Sequence, residues 1–462
     1  MLAQTILAPR EARHGALTSG FNLALTHEPD FVVQATCTAE VADAVTFARR
    51  AGLPVAIMNT GHGPSVSAQG GVLVRTGCLR RVEVNPLART TRFEAGATWQ
   101  DVMDATTPHG LAPLNGSSPH VGAVGYTLGG GVGLLGRRFG FAADHVRSID
   151  VVTADGQARY VTQADDLFWA LRGAGANFGL VTSMEIDLFP VRWLLGGELC
   201  FDAEACNQVL HTYAHWARQV PETMASSILL LRYPDDPVVP SELRGRHVTH
   251  VRIAYSGAHP ADGEAWIEPL RRIRGCLLDT VRLMPYSDMG TIHHEPTDTA
   301  VAAYDRNILL RDFDQSAATV LWEHAGPHAA AAYVVELRAW GGALSRPPAI
   351  ANAVAGRDAR FSLLAISDPD LAHRARRDNL LEVMRRWGTG SMYLNFAGVE
   401  DSGLQSVRRA YTPADFERLQ HLKAVYDPEN MFCVNFNIPP VGIQARSSRN
   451  PLTRRTYSSN FS

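Results

Sequence analysis

The sequence predicts an α+β protein that has at least two domains. Its 462 residues exceed the usual length of a single domain. Strand, helix and strand patterns follow one another between residues 31 and 58, which indicates a β-α-β unit near the start of the chain. Glycine-rich loops are frequent as far as Pro190, and beyond it strands and helices mix with few glycine clusters. This change in character predicts a domain boundary near residue 190.

The composition is that of an ordinary globular protein. Hydrophobic residues make up 46% of the chain and charged residues 19%. The net charge is -3 at pH 7, so the sequence has no basic excess that would bind nucleic acid. Lys423 is the only lysine and the other basic residues are arginines, which together with the abundance of Ala, Gly and Val indicates a GC-rich bacterial genome.

Neither the cysteines nor the N-terminal residues indicate export. The six cysteines form no C-x-x-C pair, and a chain of this size does not need a disulfide framework, so we expect reduced thiols. The first 15 residues carry charges and have no long apolar core. No apolar run approaches the roughly 20 residues that span a bilayer. These observations predict a cytoplasmic protein without a membrane partner.

A glycine-flanked histidine follows the second strand of the β-α-β unit. Residues 54–58 are apolar and compact, as expected for a buried strand. His62 then lies between Gly61 and Gly63, which adopt backbone conformations that other residues avoid. Backbone N–H groups in such a turn can hold phosphate oxygens. On this stretch alone, a tight turn with an incidental histidine is the alternative.

Two further glycine-rich segments cover residues 114–140 and 173–179. The first is long for a connection, and loops of that length are usually functional. Gly131-x-Gly133-x-x-Gly136 matches the dinucleotide fingerprint, but we predict neither a strand before it nor a helix after it, which disfavours an NAD-binding domain. Three glycine loops that converge on one large anionic cofactor explain the pattern better. Because the chain has no nucleotide P-loop and no metal-ligand spacing, we expect neither ATP nor a metal.

Taken in order, these motifs resemble the flavin-linked oxidases of the vanillyl-alcohol oxidase fold, and specifically their berberine-bridge-enzyme-like branch. The matching motifs span most of the chain and lie at residues 60–63, 118–133, 155–156, 167–175, 177–179, 393–396 and 426–437. Residues 193–390 match far less, as expected for the part that selects the substrate.

The resemblance implies an α+β architecture with a two-part FAD-binding domain and an inserted α/β substrate domain. The FAD-binding domain (PCMH-type) would cover residues 27–192, and a C-terminal segment, residues 401–445, would return to it. The substrate domain would cover residues 193–400, and residues 446–462 would form a polar tail.

The resemblance also implies that His62 is bonded through its ring to the 8α-methyl group of the flavin. A neutral imidazole nitrogen is a good nucleophile, which suits this role. Relatives with a second covalent link carry a cysteine where this chain has Ser118, so we expect a single bond.

Further residues are assigned to FAD by the same resemblance. Asn435 and Asn437 would contact the flavin ring or its ribityl chain, although both also fit a turn. Val121 stands where relatives that react with oxygen tend to carry valine, which favours an oxidase over a dehydrogenase. Asn59 belongs to a Met-Asn pair that replaces a more usual Arg-Ser, so a charged phosphate contact is missing. The full expected set is Asn59, Thr60, Gly61, His62, Gly63, Ser117, Ser118, Val121, Gly122, Gly125, Tyr126, Gly129, Gly131, Val181, Asn435 and Asn437.

Two residues are candidate catalytic bases. If Tyr393 and Asn395 lie on a strand, both side chains share one face. A phenol has an unperturbed pKa of about 10, so Tyr393 would need nearby cations or the flavin to act near neutral pH. Tyr393 as a packed aromatic is the alternative. Glu336, in a predicted strand at residues 333–337, is the second candidate, with an ion pair to an arginine as its alternative.

The resemblance therefore implies an FAD-dependent oxidoreductase. It would be an oxidase that moves a hydride from an alcohol or amine of a small secondary metabolite to flavin N5, and then passes the electrons to molecular oxygen. The alternatives are a carbohydrate or amine oxidase of the same fold, an NAD-dependent dehydrogenase, and a flavin-binding protein without turnover.

Overall fold

The computed structural model describes residues 6–7, 14–63, 66–295, 300–329 and 333–442. Within these residues the chain forms three β-sheets and twelve α-helices. None of the described helices has the length and apolar character required to cross a membrane. The polar tail expected at residues 446–462 lies outside the described residues.

The first sheet contains the β-α-β unit and has the strand order β1-β2-β4-β3. Strands β2 and β3 are both parallel to β4. Strand β4 lies between them in the sheet, so the two strands of the β-α-β unit are not direct neighbours. The first helices are α1 (His14–Thr18) and α2 (Thr38–Ala51), and α2 connects β2 to β3. The strands are β1 (Ile6–Leu7), β2 (Phe31–Gln34), β3 (Val55–Met58) and β4 (Val72–Arg75).

The second sheet is antiparallel and has the order β5-β6-β9-β7-β8. The motif at residues 155–156 lies in a hairpin that joins strands β7 and β8, and Gly156 adopts a positive φ of 81° in this turn. The strands are β5 (Val82–Asn85), β6 (Thr90–Glu94), β7 (Val146–Val152), β8 (Ala158–Val161) and β9 (Leu180–Asp187). The helices between them are α3 (Trp99–Thr106), α4 (Ala123–Leu128), α5 (Gly136–Phe139) and α6 (Asp166–Leu171).

The glycine-rich segment 114–140 is not the continuous loop that we expected. It contains α4 and the single-turn helix α5. Ala123, Val124, Thr127 and Leu128 are all buried in α4, and this packing outweighs the low helix propensity of the glycines around them. The stretch before the fingerprint glycines is therefore a helix and not a strand.

The third sheet has eight strands, and all of its strand pairs are antiparallel. Its main order is β13-β10-β12-β11-β16-β17-β15, with β14 paired to β10. The strands are β10 (Trp193–Phe201), β11 (Met224–Arg232), β12 (His247–Tyr255), β13 (Cys276–Asp279), β14 (Arg282–Pro285), β15 (Tyr304–Leu310), β16 (Tyr333–Ala339) and β17 (Phe361–Ser367). The helices in this part of the chain are α7 (Cys206–Trp216), α8 (Pro260–Arg271), α9 (Gln315–Ala325) and α10 (Leu371–Met384).

The two faces of this large sheet have different neighbours. On β16, Val335 and Leu337 pack into a core that the sheet shares with its helices. Glu336 and Arg338 alternate with them and point to the opposite face. The large sheet thus has one face covered by helices and one face available to a cavity.

The end of the chain returns to the first two sheets. Helices α11 (Leu404–Arg408) and α12 (Pro413–Tyr426) precede an irregular segment that ends the described residues. Val407, Phe416, Leu419 and Phe432 pack in the same hydrophobic core as the N-terminal strands. This packing brings the C-terminal segment beside the glycine-rich loops.

Candidate active site

A cavity of about 830 Å³ lies between the glycine-rich loops and the uncovered face of the large sheet. Residues from β3, α4, the start of β9 and the glycine-rich loops beside them form much of one wall, at positions 55–63, 116–129, 174–181 and 434–436. Side chains of β10, β11, β12, β15, β16 and β17 form the opposite wall. The loops that the sequence singled out therefore converge on one space.

Most of the expected cofactor residues line this cavity, and so do Tyr393 and Glu336. Gly131 and Asn437 do not line it. Gly131 packs against Tyr126 and Ala142, and its φ of 76° favours glycine, so its contribution is to the shape of the loop. The expected cofactor residues on the wall are Asn59, Thr60, Gly61, His62, Gly63, Ser117, Ser118, Val121, Gly122, Gly125, Tyr126, Gly129, Val181 and Asn435.

His62 is held in one orientation at the cavity wall. Its ring stacks on Phe21 with a centroid separation of 4.0 Å and an interplanar angle of 9°. Its Nδ1 lies 2.8 Å from the Thr60 hydroxyl, while its Nε2 is buried and has no hydrogen-bond partner among the described residues. Burial, with a smaller effect from His120, lowers the pKa of His62 to about 4, so the ring is neutral at pH 7.

Other polar atoms on the glycine-rich wall also lack partners within the described residues. They are Asn59 Nδ2, Tyr126 OH and Asn435 Oδ1. Buried polar groups are nearly always hydrogen-bonded, so several unpaired atoms around one cavity indicate a polar ligand. A Cβ atom added at Gly63 or Gly125 would meet nothing within 4 Å, which leaves the backbone open to that ligand. These residues fit a large polar cofactor of the FAD type.

The strand expected around Tyr393 and Asn395 is not present, because residues Leu394–Phe396 form a 3₁₀ turn. Asn307 holds the Tyr393 backbone on both sides, accepting from its N–H at 2.7 Å and donating to its C=O at 3.0 Å. The turn still brings the two side chains together, with Asn395 Nδ2 donating to Tyr393 OH at 3.2 Å. Burial raises the pKa of Tyr393, an effect that the nearby charge of Arg338 opposes.

Glu336 is buried in an ion-pair network. Its carboxylate accepts hydrogen bonds from Ser227 Oγ at 2.9 Å, Arg252 Nη1 at 3.3 Å and Arg338 Nε at 2.7 Å. Burial alone would raise the pKa of Glu336, but Arg338 and Arg252 hold it below its ordinary value. The carboxylate is therefore ionised and weakly basic, which corresponds to the ion-paired alternative for this residue.

Several cavity residues were not identified from the sequence. The sheet wall includes Glu198 and His250, with a distance of 3.0 Å from His250 Nδ1 to Glu198 Oε2. Arg338 donates to Ser117 Oγ at 3.1 Å, and Ser117 Oγ donates to Glu295 at 2.5 Å, which connects the sheet to a glycine-rich loop. The sequence pattern that could have identified them is the presence of polar residues at alternate positions of β12 and β16, among apolar residues.

Comparison with known proteins identifies the chain as a flavoprotein. A family model described as FAD binding domain matches residues 29–162, and one described as berberine and berberine like matches residues 392–439. (R)-6-Hydroxynicotine oxidase of Paenarthrobacter nicotinovorans is 26% identical over 467 residues, which covers 95% of this chain and 97% of the relative. In the two segments that the family models match, the chain is similar to the berberine-bridge-like branch of the vanillyl-alcohol oxidase family.

Solved structures show the same fold. The crystal structure of 6-hydroxy-D-nicotine oxidase from Arthrobacter nicotinovorans has a TM-score of 0.79 and 21% identity, with 94% of this chain and 97% of that chain covered. A chitooligosaccharide oxidase has a TM-score of 0.78 and 20% identity, with 95% and 98% covered. The chain is thus an FAD-dependent oxidoreductase, and residues of the segment that matches the FAD binding domain line the cavity.

Proposed function

We propose that the protein is an FAD-dependent oxidase of a small organic alcohol or amine, with a single covalent bond between His62 and the flavin. The observation that carries the proposal is the cavity itself. Unpaired polar atoms line its glycine-rich wall, and a buried charged network lines the sheet wall opposite. The first wall suits a large polar cofactor, and the second suits a reacting substrate.

The orientation of His62 supports attachment through Nε2. When Nδ1–H donates to Thr60 Oγ1, the lone pair of Nε2 is free at the cavity wall. Bond formation would replace one hydrogen of the 8α-methyl group, with two electrons and two protons passing to dioxygen. Ser118, also on the wall, has no thiol for a second bond.

FAD, when bound, supplies the acceptor for a hydride from the substrate. The side chains of the chain then have to hold the substrate and move its proton. Tyr393 is buried at the cavity wall with its hydroxyl beside Asn395 Nδ2, which supports a role in exchanging a proton with the reacting oxygen or nitrogen. Glu336 stays ionised and keeps the two arginines neutralised and in place.

The test is aerobic and anaerobic spectroscopy of the purified protein with a panel of alcohols, amines and oligosaccharides. We expect the flavin absorbance to bleach under nitrogen with a member of the alcohol or amine group. Admission of air should then restore the colour and form hydrogen peroxide. A bound flavin that no member of the panel reduces would support the non-catalytic alternative.

Replacement of Tyr393 by phenylalanine is expected to slow anaerobic flavin reduction at least about tenfold, which corresponds to about 1.4 kcal/mol of barrier. The change removes only the hydroxyl that contacts Asn395, so binding should change less than the rate. Stopped-flow absorbance measures the reduction rate. Tyr213→Phe is the control, because Tyr213 is equally buried but does not line the cavity. Equal reduction rates in the wild type and Tyr393→Phe would remove Tyr393 from the mechanism.

Replacement of Val121 by leucine is expected to slow the reaction of reduced flavin with oxygen at least about tenfold, with little effect on flavin reduction. Val121 is half-buried on the cavity wall, and an added methylene would narrow the approach to the flavin. Mixing photoreduced protein with air-saturated buffer measures the reoxidation rate. The same substitution at the exposed Val425 should change nothing. An unchanged reoxidation rate in Val121→Leu would show that this position does not control the reaction of the reduced flavin with oxygen.

A further inference from the structure

The sheet wall of the cavity carries more acidic than basic side chains. Among the described residues on the cavity wall, four carboxylates face two guanidinium groups. They belong to Glu198, Glu295, Asp305 and Glu336, and to Arg252 and Arg338. An excess of carboxylates on a cavity wall favours a positively charged ligand.

Three of the four carboxylates have partners within the protein. Glu336 pairs with both arginines of the cavity. Glu198 lies 3.0 Å from His250 Nδ1 and 3.7 Å from Arg252 Nε. Glu295 accepts from Ser117 and lies 3.9 Å from Arg338 Nη2. The negative charges of these three carboxylates are therefore balanced by groups of the protein, and they attract a charged ligand only weakly.

Asp305 is the exception. Its Oδ1 is buried without a hydrogen-bond partner, and its carboxylate forms no ion pair within the described part of the chain. Burial raises the pKa of Asp305 to about 6, although Arg377 acts in the opposite direction. A carboxylate oxygen that is buried without a partner is costly, and a cation that enters the cavity would relieve that cost.

The charged groups that influence the pKa of Asp305 have other partners. The guanidinium of Arg377 donates to Glu400 Oε2 at 2.6 Å, to Asp378 Oδ1 at 2.8 Å and to the Tyr304 carbonyl at 2.7 Å. Asp401, which raises the pKa of Asp305, pairs with Arg306 at 3.2 Å. Neither Arg377 nor Arg306 therefore supplies the missing counter-charge.

The neighbours of Asp305 along the chain link it to His62, the proposed flavin attachment residue, and to Tyr393, the proposed proton-exchanging residue. Two residues before it on the chain, Ala303 is held by Asn22, whose neighbour Phe21 stacks on His62. Two residues after it, Asn307 anchors the Tyr393 backbone. Because two residues of a strand span about 7 Å, Asp305 lies within the reach of a small substrate that contacts this region.

The cavity-facing neighbours of Asp305 in the sheet are apolar. Ile366 of β17 pairs directly with Asp305, and Val334 of β16 pairs with Ile366 on the other side. Both side chains line the cavity, as does Leu364. A ligand at this place therefore meets one carboxylate and a hydrocarbon surface.

From this arrangement we propose that Asp305 binds a protonated nitrogen of the substrate, and that the substrate is a basic amine with an apolar body. The inference rests on the proposed oxidase function and decides between the alcohol and the amine that this function leaves open. The carboxylate would anchor the nitrogen, while Ile366, Val334 and Leu364 would contact the hydrocarbon part.

The test compares the binding of hexylammonium and 1-hexanol to the flavin-loaded protein by isothermal titration calorimetry at pH 8. The two probes share one hydrocarbon chain and differ in charge. We expect hexylammonium to bind about tenfold more tightly or better. In Asp305→Asn this preference should fall below about twofold, and Asp305→Glu should retain part of it. Asp368→Asn is the matched control, because Asp368 lies just past β17, has a half-exposed carboxylate and does not line the cavity.

A pH series gives a second readout. Since hexylammonium keeps its charge between pH 5 and pH 8, as an amine with a pKa of about 10 does, a change in its preference reports on the protein. Protonation of Asp305 should remove the preference as the pH falls through about 6. A preference that persists in Asp305→Asn, or that is absent from the wild type, would overturn the inference.

The outcome for the oxidase function is read separately. Flavin content and substrate-dependent bleaching test the oxidase, whereas the calorimetric preference requires neither flavin reduction nor turnover. A protein that oxidises neutral alcohols and shows no cation preference would keep the oxidase function and refute the role of Asp305. A cation preference in a protein whose flavin no amine or alcohol reduces would keep the role of Asp305 and refute the oxidase function.

Discussion

Replacement of His62 by alanine is expected to abolish acid-stable flavin. The Nε2 atom of His62 is the unpaired nucleophile on the cavity wall, and the low pKa of the ring keeps it neutral at pH 7. Without the imidazole, FAD would be held only by the polar contacts of the cavity. The protein should still turn yellow on incubation with FAD, but the colour should remain in the supernatant after acid precipitation.

The measurement separates the bond from the binding site. Mass spectrometry of the peptide that contains residue 62 should show the added mass of the flavin in the wild type and not in His62→Ala. His109→Ala is the control, because His109 is exposed and does not line the cavity. Thr60→Val, which removes the hydroxyl that fixes Nδ1, should slow attachment without preventing it. Acid-stable flavin in His62→Ala would assign the bond to another residue.

The convergence of the glycine loops could be anticipated from the sequence. His62 follows a short apolar strand, and such a strand ends at the edge of a buried sheet, where a ligand can approach the backbone. The flanking glycines indicated backbone conformations that other residues avoid; Gly61 has one, with a φ of 70°, whereas Gly63 has no positive φ. The order of the motifs then supplied the family, because several weak motifs in one order are far more specific than any one of them.

The sheet wall could not be anticipated in the same way. The residues that meet there come from six strands, and their contacts depend on the register of each strand pair. Asp305 faces the cavity because it pairs with Ile366, and a shift of one residue would turn it to the other face. Sequence alone identified Glu336 as a candidate but not the arginine that pairs with it from β12.

Two local predictions were wrong because tertiary contacts outweighed local patterns. The segment that contains α4 was expected to be a loop, but its apolar face is buried against the core. Tyr393 and Asn395 were expected on a strand, but the side chain of Asn307 satisfies the Tyr393 backbone in place of a neighbouring strand. The two side chains nonetheless meet, through a turn whose geometry a period-two pattern does not describe.

The only lysine of the chain joins the C-terminal segment to a cavity loop. The Nζ of Lys423 donates to the Asn177 carbonyl at 2.5 Å and to the Phe432 carbonyl at 3.0 Å, and it pairs with Asp427 at 2.7 Å. The side chains of Lys423 and Asp427 have no solvent exposure. Asn177 belongs to a loop of the cavity wall, so one ammonium group fixes the position of this loop against the returning chain.

Replacement of Lys423 by methionine is therefore expected to lower the free energy of unfolding by about 3–5 kcal/mol, because it leaves the Asp427 carboxylate buried without its cation. Urea denaturation followed by flavin fluorescence measures the loss, and the fluorescence change that marks unfolding should occur at lower urea than in the wild type. Glu417→Gln removes an exposed charge on the same helix and should change stability by less than about 0.5 kcal/mol.

Asp427→Asn also weakens the bonds to the N–H groups of Met431 and Phe432. Even so, the double variant Lys423→Met/Asp427→Asn should lose less stability than the sum of its single changes, because it leaves no buried charge. Additive losses, or a Lys423→Met protein as stable as Glu417→Gln, would show that this ion pair does not hold the two segments together.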